Sequence, residues 1–452
     1  MKINRQKYQK QMINSNLLIL VFCIAIFSNN VNIWNQSYGD QAHTAYVNTE
    51  VTFPLEIIWK KNVVHGEISG SPVLKDDKLI ILTSQNIPEG KNSLFCYNVD
   101  KNGLSLHWST SLFDTAQGIS PVIIGDSVIC SSSQSLQCFD LETGSDVWEI
   151  KFTDTTCLSP TVLPDSNRVI VPTLNGHLYL IDALKGNIIW AKDNLFNNEY
   201  HFYPLVTASD DKLFVYYKQK NEKGIVAFDL SGDLLWIKKG EIIHTYVDDN
   251  AYVTLFNEGI LFALHNPKTL WALDGDSGKI IWEYHGNGLL DVLSSDDKNV
   301  YIYSKMIEGV ISIDMQTGKE VWKSQFIFPG ESESEIIIDK SILSIKNCIF
   351  ICHRSFDIKS GRIFGLDKEN GSIIWKSEEI SNIKGPLIFY HGLLIVKSGT
   401  LLIAFSETWD NSEFVSNRFL VQLFAILILL GIIIGIFFYI RIKKPKEKVD
   451  HA

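Results

Sequence analysis

Between residues 55 and 405 the hydrophobic positions fall in short runs, each broken by glycine, aspartate, asparagine or serine. One stretch reads Ser120-Pro-Val-Ile-Ile, Gly125-Asp126, Ser127-Val-Ile-Cys-Ser, Ser135-Leu-Gln-Cys-Phe-Asp140, then Asp146-Val-Trp-Glu-Ile-Lys. Runs rich in β-branched and aromatic residues, parted by small turn residues, predict strands joined by tight turns. Almost no segment in this region sustains a helical period.

The runs repeat. In Asp274-Gly-Asp-Ser-Gly278-Lys-Ile-Ile-Trp282 a Gly follows an Asp by four residues and a Trp follows the Gly by four. The same spacing recurs at Asp140/Gly144/Trp148, Asp182/Gly186/Trp190, Asp314/Gly318/Trp322 and Asp367/Gly371/Trp375, with imperfect copies at Asp229/Gly232/Trp236 and Asp100/Gly103/Trp108. Each element has a physical reason. The Asp side chain can cap amides at the start of a turn. The Gly supplies the positive φ that a tight turn demands. The Trp falls in the next strand, where its ring can wedge against a neighbouring unit and its N–H can reach a carbonyl.

Trp59, Trp108, Trp148, Trp190, Trp236, Trp282, Trp322 and Trp375 mark eight units spaced 40 to 53 residues apart. Four short strands with turns need ~40 residues, the length of one propeller blade. We label the strands A to D from the axis outward. Strand A carries Pro72, Pro121, Pro160, Pro204 or Pro386, C ends on the Asp, and D holds the Trp. Leu55–Lys60 is a D strand with no A to C before it, whereas the last unit has A to C and no D. The first strand should therefore complete the last blade, removing both free edges. The expected fold is all-β, an eight-bladed propeller over 55–409.

The units resemble the pyrroloquinoline quinone (PQQ)-type propeller repeat, on Gly70-Ser-Pro-Val73, Leu270-Trp-Ala-Leu-Asp274 and Thr317-Gly318 with Trp322. That family includes quinoprotein dehydrogenases, the outer-membrane barrel-assembly scaffold and the lumenal sensor domains of unfolded-protein-response kinases. The resemblance implies the fold and leaves the activity open. Its enzymes commonly cover PQQ with an adjacent Cys-Cys disulfide and hold Ca²⁺ with Glu, Asn and Asp. This sequence has no adjacent cysteine pair. We therefore expect no cofactor, no metal site and no catalytic residue.

Composition adds limits. Net charge is −10, with +4 in residues 1–30 and +3 in residues 441–452, so residues 31–440 carry −17. An acidic body disfavours a nucleic-acid partner. Seven cysteines are few for a disulfide scaffold. Cys130 and Cys138 flank a turn, either as buried thiols or as a cross-strand disulfide. No zinc spacing, phosphate loop or Gly-x-Ser-x-Gly elbow occurs.

The ends suggest a membrane. Residues 1–30 have the layout of a signal peptide or an uncleaved signal anchor. Residues 31–54 read as a linker and 410–418 as a stalk. Residues 419–440 are apolar over a length that spans a bilayer, and the basic tail 441–452 places itself in the cytoplasm. The propeller is then extracellular, periplasmic or lumenal. Gly431 and Gly435 form a small-xxx-small pattern that would allow weak self-association. Asn35 and Asn370 begin the two Asn-x-Ser sequons.

Since successive strands alternate direction, B–C and D–A connections share one end of the blades. Tyr200, His201, Tyr203, His265, His353 and Arg354 fall there and make a possible partner face. The expected function is a membrane-tethered, non-catalytic scaffold for a protein or peptide partner. A sensor that signals through a partner is the alternative, and a PQQ-dependent dehydrogenase ranks below both.

Overall fold

The computed structural model describes residues 34–63, 67–84, 93–112, 119–132, 134–152, 158–164, 167–192, 200–219, 222–240, 254–288, 290–325, 336–355 and 360–407. The chain divides into two units, Met1–Ser406 and Glu407–Ala452. Of the second, only Glu407 is described, so the expected stalk, span and tail lie outside the described residues, as do residues 1–33. No helix among the described residues is long and apolar enough to cross a membrane.

The first unit is an eight-bladed all-β propeller built from antiparallel sheets. Blade 1 runs Glu67–Lys75, Lys78–Ser84, Ser93–Asp100 and Gly103–Ser111 as strands A to D. Blades 2 to 7 follow in chain order over 122–151, 161–192, 200–239, 254–285, 290–325 and 336–376. In the last blade Leu55–Asn62 pairs with Leu401–Glu407, followed inward by Leu393–Ser398 and Ile383–Tyr390. The first long strand thus supplies the missing D strand and closes the ring.

Seven of the eight repeat Trp residues are aimed by a bulge. In strand D of blade 5, Trp282 pairs with Ala272 and Ile280 with Leu273, leaving Ile281 as the extra residue. The same irregularity precedes Trp108, Trp148, Trp190, Trp236, Trp322 and Trp375. A bulge re-aims the side chain beside it. Here it turns the indole toward the next blade and throws the preceding residue outward, as with Ile281 and Val321.

The indole N–H groups of Trp108, Trp148, Trp190, Trp236, Trp282 and Trp322 donate to the carbonyls of Leu141, Ala183, Leu230, Gly275, Met315 and Lys368 at 2.8–3.0 Å. Each acceptor follows the turn Asp of the next blade. Trp375 reaches Leu55 O at 3.2 Å, and Trp59 reaches the carbonyl of the turn Asp100 itself at 3.1 Å, so the interblade bond crosses the closure although its acceptor position changes. In the turns, Asp140 Oδ1 accepts from the amides of Glu142 and Thr143, and Gly144 sits at φ +68°.

The cysteines resolve one open alternative. Cys130 pairs with Gln137 and Cys138 with Ile129, so the two thiols project from opposite faces of one sheet. Both are free and buried, and no disulfide can join them. Burial pushes their thiols up, to about 12 for Cys130 and about 11 for Cys138.

The largest departure from expectation is at the amino end. Residues 31–54 were expected to be a linker, yet the described part, 34–54, is woven into the propeller. It runs round the axis and meets seven blades in order. The amides of Leu74, Ile123, Ala208, Phe256, Ser295 and Ser344 donate to the carbonyls of Trp34, Asn35, Gln41, Ala42, Thr44 and Ala45 at 2.7–3.0 Å. In blade 3 the Val162 amide donates to the Gln36 side chain at 2.9 Å. Tyr46–Val47 then lies parallel to Ser344 and Ile345. An innermost strand has a free edge facing the axis, and unpaired amides there are costly. This strap satisfies one amide per blade near the A–B turns. The strap's own Trp34, Tyr38, Ala45, Val47 and Val51 are buried.

Candidate functional site

The strap and both chain crossings at the closure mark one end of the blades, where the A–B and C–D turns lie. The strap runs along the inner strand ends there. Tyr38, His43 and Ala45 take positive φ there, a conformation that non-glycine residues adopt only when packing over-determines it. His43 Nδ1 lies 3.1 Å from Thr207 Oγ1, and its ring meets Tyr38 edge-on. Burial pushes the His43 imidazole down to about 4. Asp40 is half-buried, and desolvation raises its carboxyl. The Thr44 hydroxyl and the Ala42 and Thr44 amides donate to it and pull the other way.

Hydroxyls stitch the axial strands to each other. Ser71 N donates to Ser120 Oγ at 2.8 Å, and Ser120 N to Ser159 Oγ at 3.0 Å. Thr161 Oγ1 donates to Val206 O, and Thr207 Oγ1 to Thr254 O. The Ser of the Ser-Pro signature is thus an interblade hydrogen-bonding group. Among the described residues, no three His, Cys, Asp or Glu side chains gather as metal ligands.

The opposite end carries the B–C and D–A connections. The candidate partner residues sit at this end by strand order: Tyr200, His201 and Tyr203 in Tyr200–Ala208, His265 at the end of Ile260–His265, His353 and Arg354 in Cys348–Ser355. The side chains of Tyr200, His201, Tyr203 and Arg354 are outside the described set. His353 is not a surface group. It is 5% exposed, packs edge-on to Phe364, and burial pushes it down to about 4. Its strand position was legible, but which face of the sheet it occupies depended on register.

His265 is half-buried and stacks on Trp271 with ring centroids 3.6 Å apart and planes 8° apart. Lys238 Nζ stands 4.9 Å from the Trp271 ring. Trp271 Nε1 donates to Glu283 Oε1 at 3.0 Å. Gly240 is required here, since a Cβ would stand 2.4 Å from the Trp271 ring. Sequence reasoning passed over Trp271 because it occupies the aromatic position of the strand C repeat. A cross-strand register was needed to find its neighbours.

The family described as outer membrane protein assembly factor BamB matches residues 56–150, 96–324 and 175–409. No curated protein matches the chain. Among solved structures it is similar to BamB from Moraxella catarrhalis, with 15% identity and a TM-score of 0.53 over 78% of this chain and 100% of that one. It is also similar to quinohemoprotein alcohol dehydrogenase from Comamonas testosteroni, with 12% identity and a TM-score of 0.61 over 84% and 82%. A europium-containing methanol dehydrogenase gives 12% identity and 0.59 over 82% and 91%. At such identities the likeness concerns the propeller fold alone.

Proposed function

The chain belongs to the family described as outer membrane protein assembly factor BamB, and from that premise we propose that it is a non-catalytic scaffold. It holds a protein partner against the B–C and D–A ends of its blades. The observation that carries this reading is the strap: one end of the axis is occupied by the protein's own chain, which leaves the other end to present loops and side chains. Propellers offer such an end as a broad polar surface, suited to protein partners.

The scaffold is tethered by residues 419–440, with 441–452 in the cytoplasm and the propeller outside it. The last described strand, Leu401–Glu407, runs out at the C–D end.

Site-specific photo-crosslinkers at Lys268 and Lys239, against controls at Asp276 and Asn370, test the reading in intact membranes. The scaffold reading predicts discrete protein adducts from the first pair only. Adducts from the control pair alone would overturn it. So would dye-linked alcohol oxidation by the purified protein that depends on added PQQ and Ca²⁺.

A further inference from the structure

Blade 4 keeps an unfavourable arrangement. Lys218 of strand B stands directly opposite Lys223 of strand C, and two rungs on Ile225 is opposite Lys238 of strand D. Side chains alternate across a strand, so these three lysines share one face of the sheet. Tyr216 and Ile225 lie on that same face and pack against Ala263 and Trp271 of blade 5. His201 of strand A is paired in register with Lys218.

Blade 5 answers with His265, Trp271 and Glu283 on the face turned toward blade 4. The lysines are half-buried. Lys239, on the other face, pairs with Glu222 at 2.9 Å. Among the described residues, Lys218, Lys223 and Lys238 have no carboxylate partner. Glu283 is committed to Trp271 Nε1 and, at 3.4 Å, to His285 Nε2.

Like charges directly opposite each other in a sheet are destabilising. Half-burial makes them more so, because water screens them less. The rest of the protein is strongly acidic, so three lysines on one sheet face, without a carboxylate partner among the described residues, break the local rule. Such violations concentrate at functional sites.

We infer that the lysine row at the junction of blades 4 and 5 binds an acidic peptide segment of a protein partner. Its carboxylates meet Lys218, Lys223 and Lys238. This rests on the scaffold reading above and names the chemistry of the partner. Binding relieves the lysine repulsion, so complementary charge supplies both specificity and speed of association.

The test titrates the full-length protein in detergent with a fluorescent oligo-glutamate peptide. Oligo-lysine, inorganic phosphate and phosphatidylglycerol vesicles are the comparison arms. Wild type should bind oligo-glutamate with an affinity that falls as salt rises, and should not bind oligo-lysine. Lys218→Gln/Lys223→Gln/Lys238→Gln should weaken binding about tenfold or more. Lys218→Glu should abolish binding while the melting temperature holds or rises, because a carboxylate then faces Lys223. That outcome separates a binding role from a structural one. Unchanged affinity in the triple variant, no peptide binding by wild type, or binding of phosphate or vesicles in preference to peptide would each overturn the inference. Equal crosslinking of a partner by wild type and triple variant would sink this inference and leave the scaffold reading standing. Loss of crosslinking at Lys268 and Lys239 in both would sink the two together.

Discussion

The indole of Trp148 covers Gly186 of the next blade so closely that a Cβ there would stand 2.6 Å from its Cγ. Gly186 also sits at φ +68°. One glycine therefore serves both a turn and an interblade contact. Gly186→Ala should cost about 1–3 kcal/mol, from overpacking added to backbone strain. Gly125 is the control, at φ +55° with nothing within 4 Å of a Cβ. Gly125→Ala should shift the urea midpoint less, and equal shifts would refute the wedge.

The strap makes a separate prediction. Trp34 is 2% exposed and anchors the first blade contact. Trp34→Ala should cost about 3–5 kcal/mol, the range for emptying a large buried aromatic site. Denaturant titration of the purified protein measures it, and a loss below about 1 kcal/mol would mean the strap is not part of the cooperative unit.

Acid should loosen the hub. His43 titrates at about 4 in the fold against an ordinary value of 6.5, so the unfolded chain binds its proton more readily. The stability that neutral His43 contributes is complete above pH 6.5 and is lost as pH falls toward 4. The loss is on the order of 3 kcal/mol. His353 behaves alike over the same window. Asp40 opposes them, since its raised carboxyl favours the fold as it protonates. Melting curves between pH 4 and 7 should fall with pH, and His43→Gln should flatten the fall.

Asp296 and Lys368 form an ion pair between blades 6 and 7 at 2.7 Å, with side chains 3% and 12% exposed. Tyr301 Oη also donates to Asp296, at 2.6 Å. Burial pushes the Asp296 carboxyl up, but the Lys368 charge and the hydrogen bonds from Lys368 and Tyr301 outweigh it and hold it below the carboxylate range. Asp296→Ala should cost about 3–5 kcal/mol, since it strands a buried cation. Adding Lys368→Met should recover part of that loss. A double variant no more stable than the single one would count against the pairing.

Cys130 and Cys138 should resist maleimide in the native state and react only on unfolding, because burial keeps both thiols protonated. Mass spectrometry of the labelled protein reads this directly. Fast native labelling at either site would contradict the core placement.

Much of the propeller was readable from spacing. The Asp, Gly and Trp of each repeat act within one turn and one neighbouring blade, and such local constraints leave a period in the chain. The orphan strand Leu55–Asn62 was legible for the same reason, since a missing D strand at the far end demanded one. The strap was not. Residues 34–51 carry no repeat, because their contacts go to successive blades, all but that of Gln36 through backbone carbonyls that any residue possesses. His353 was misplaced because a strand position does not say which sheet face is buried. The lysine row was invisible because Lys218 and Lys238 lie twenty residues apart and meet only through register.

By itself, then, the order of residues determined the number of blades, the turn chemistry and the way the circle closes, since these depend on interactions between near neighbours or between identical repeats. Tertiary structure alone decided what fills the axis, which histidine is buried and where uncompensated lysines converge. Those depend on register between strands and on backbone groups, and neither is written in side-chain identity.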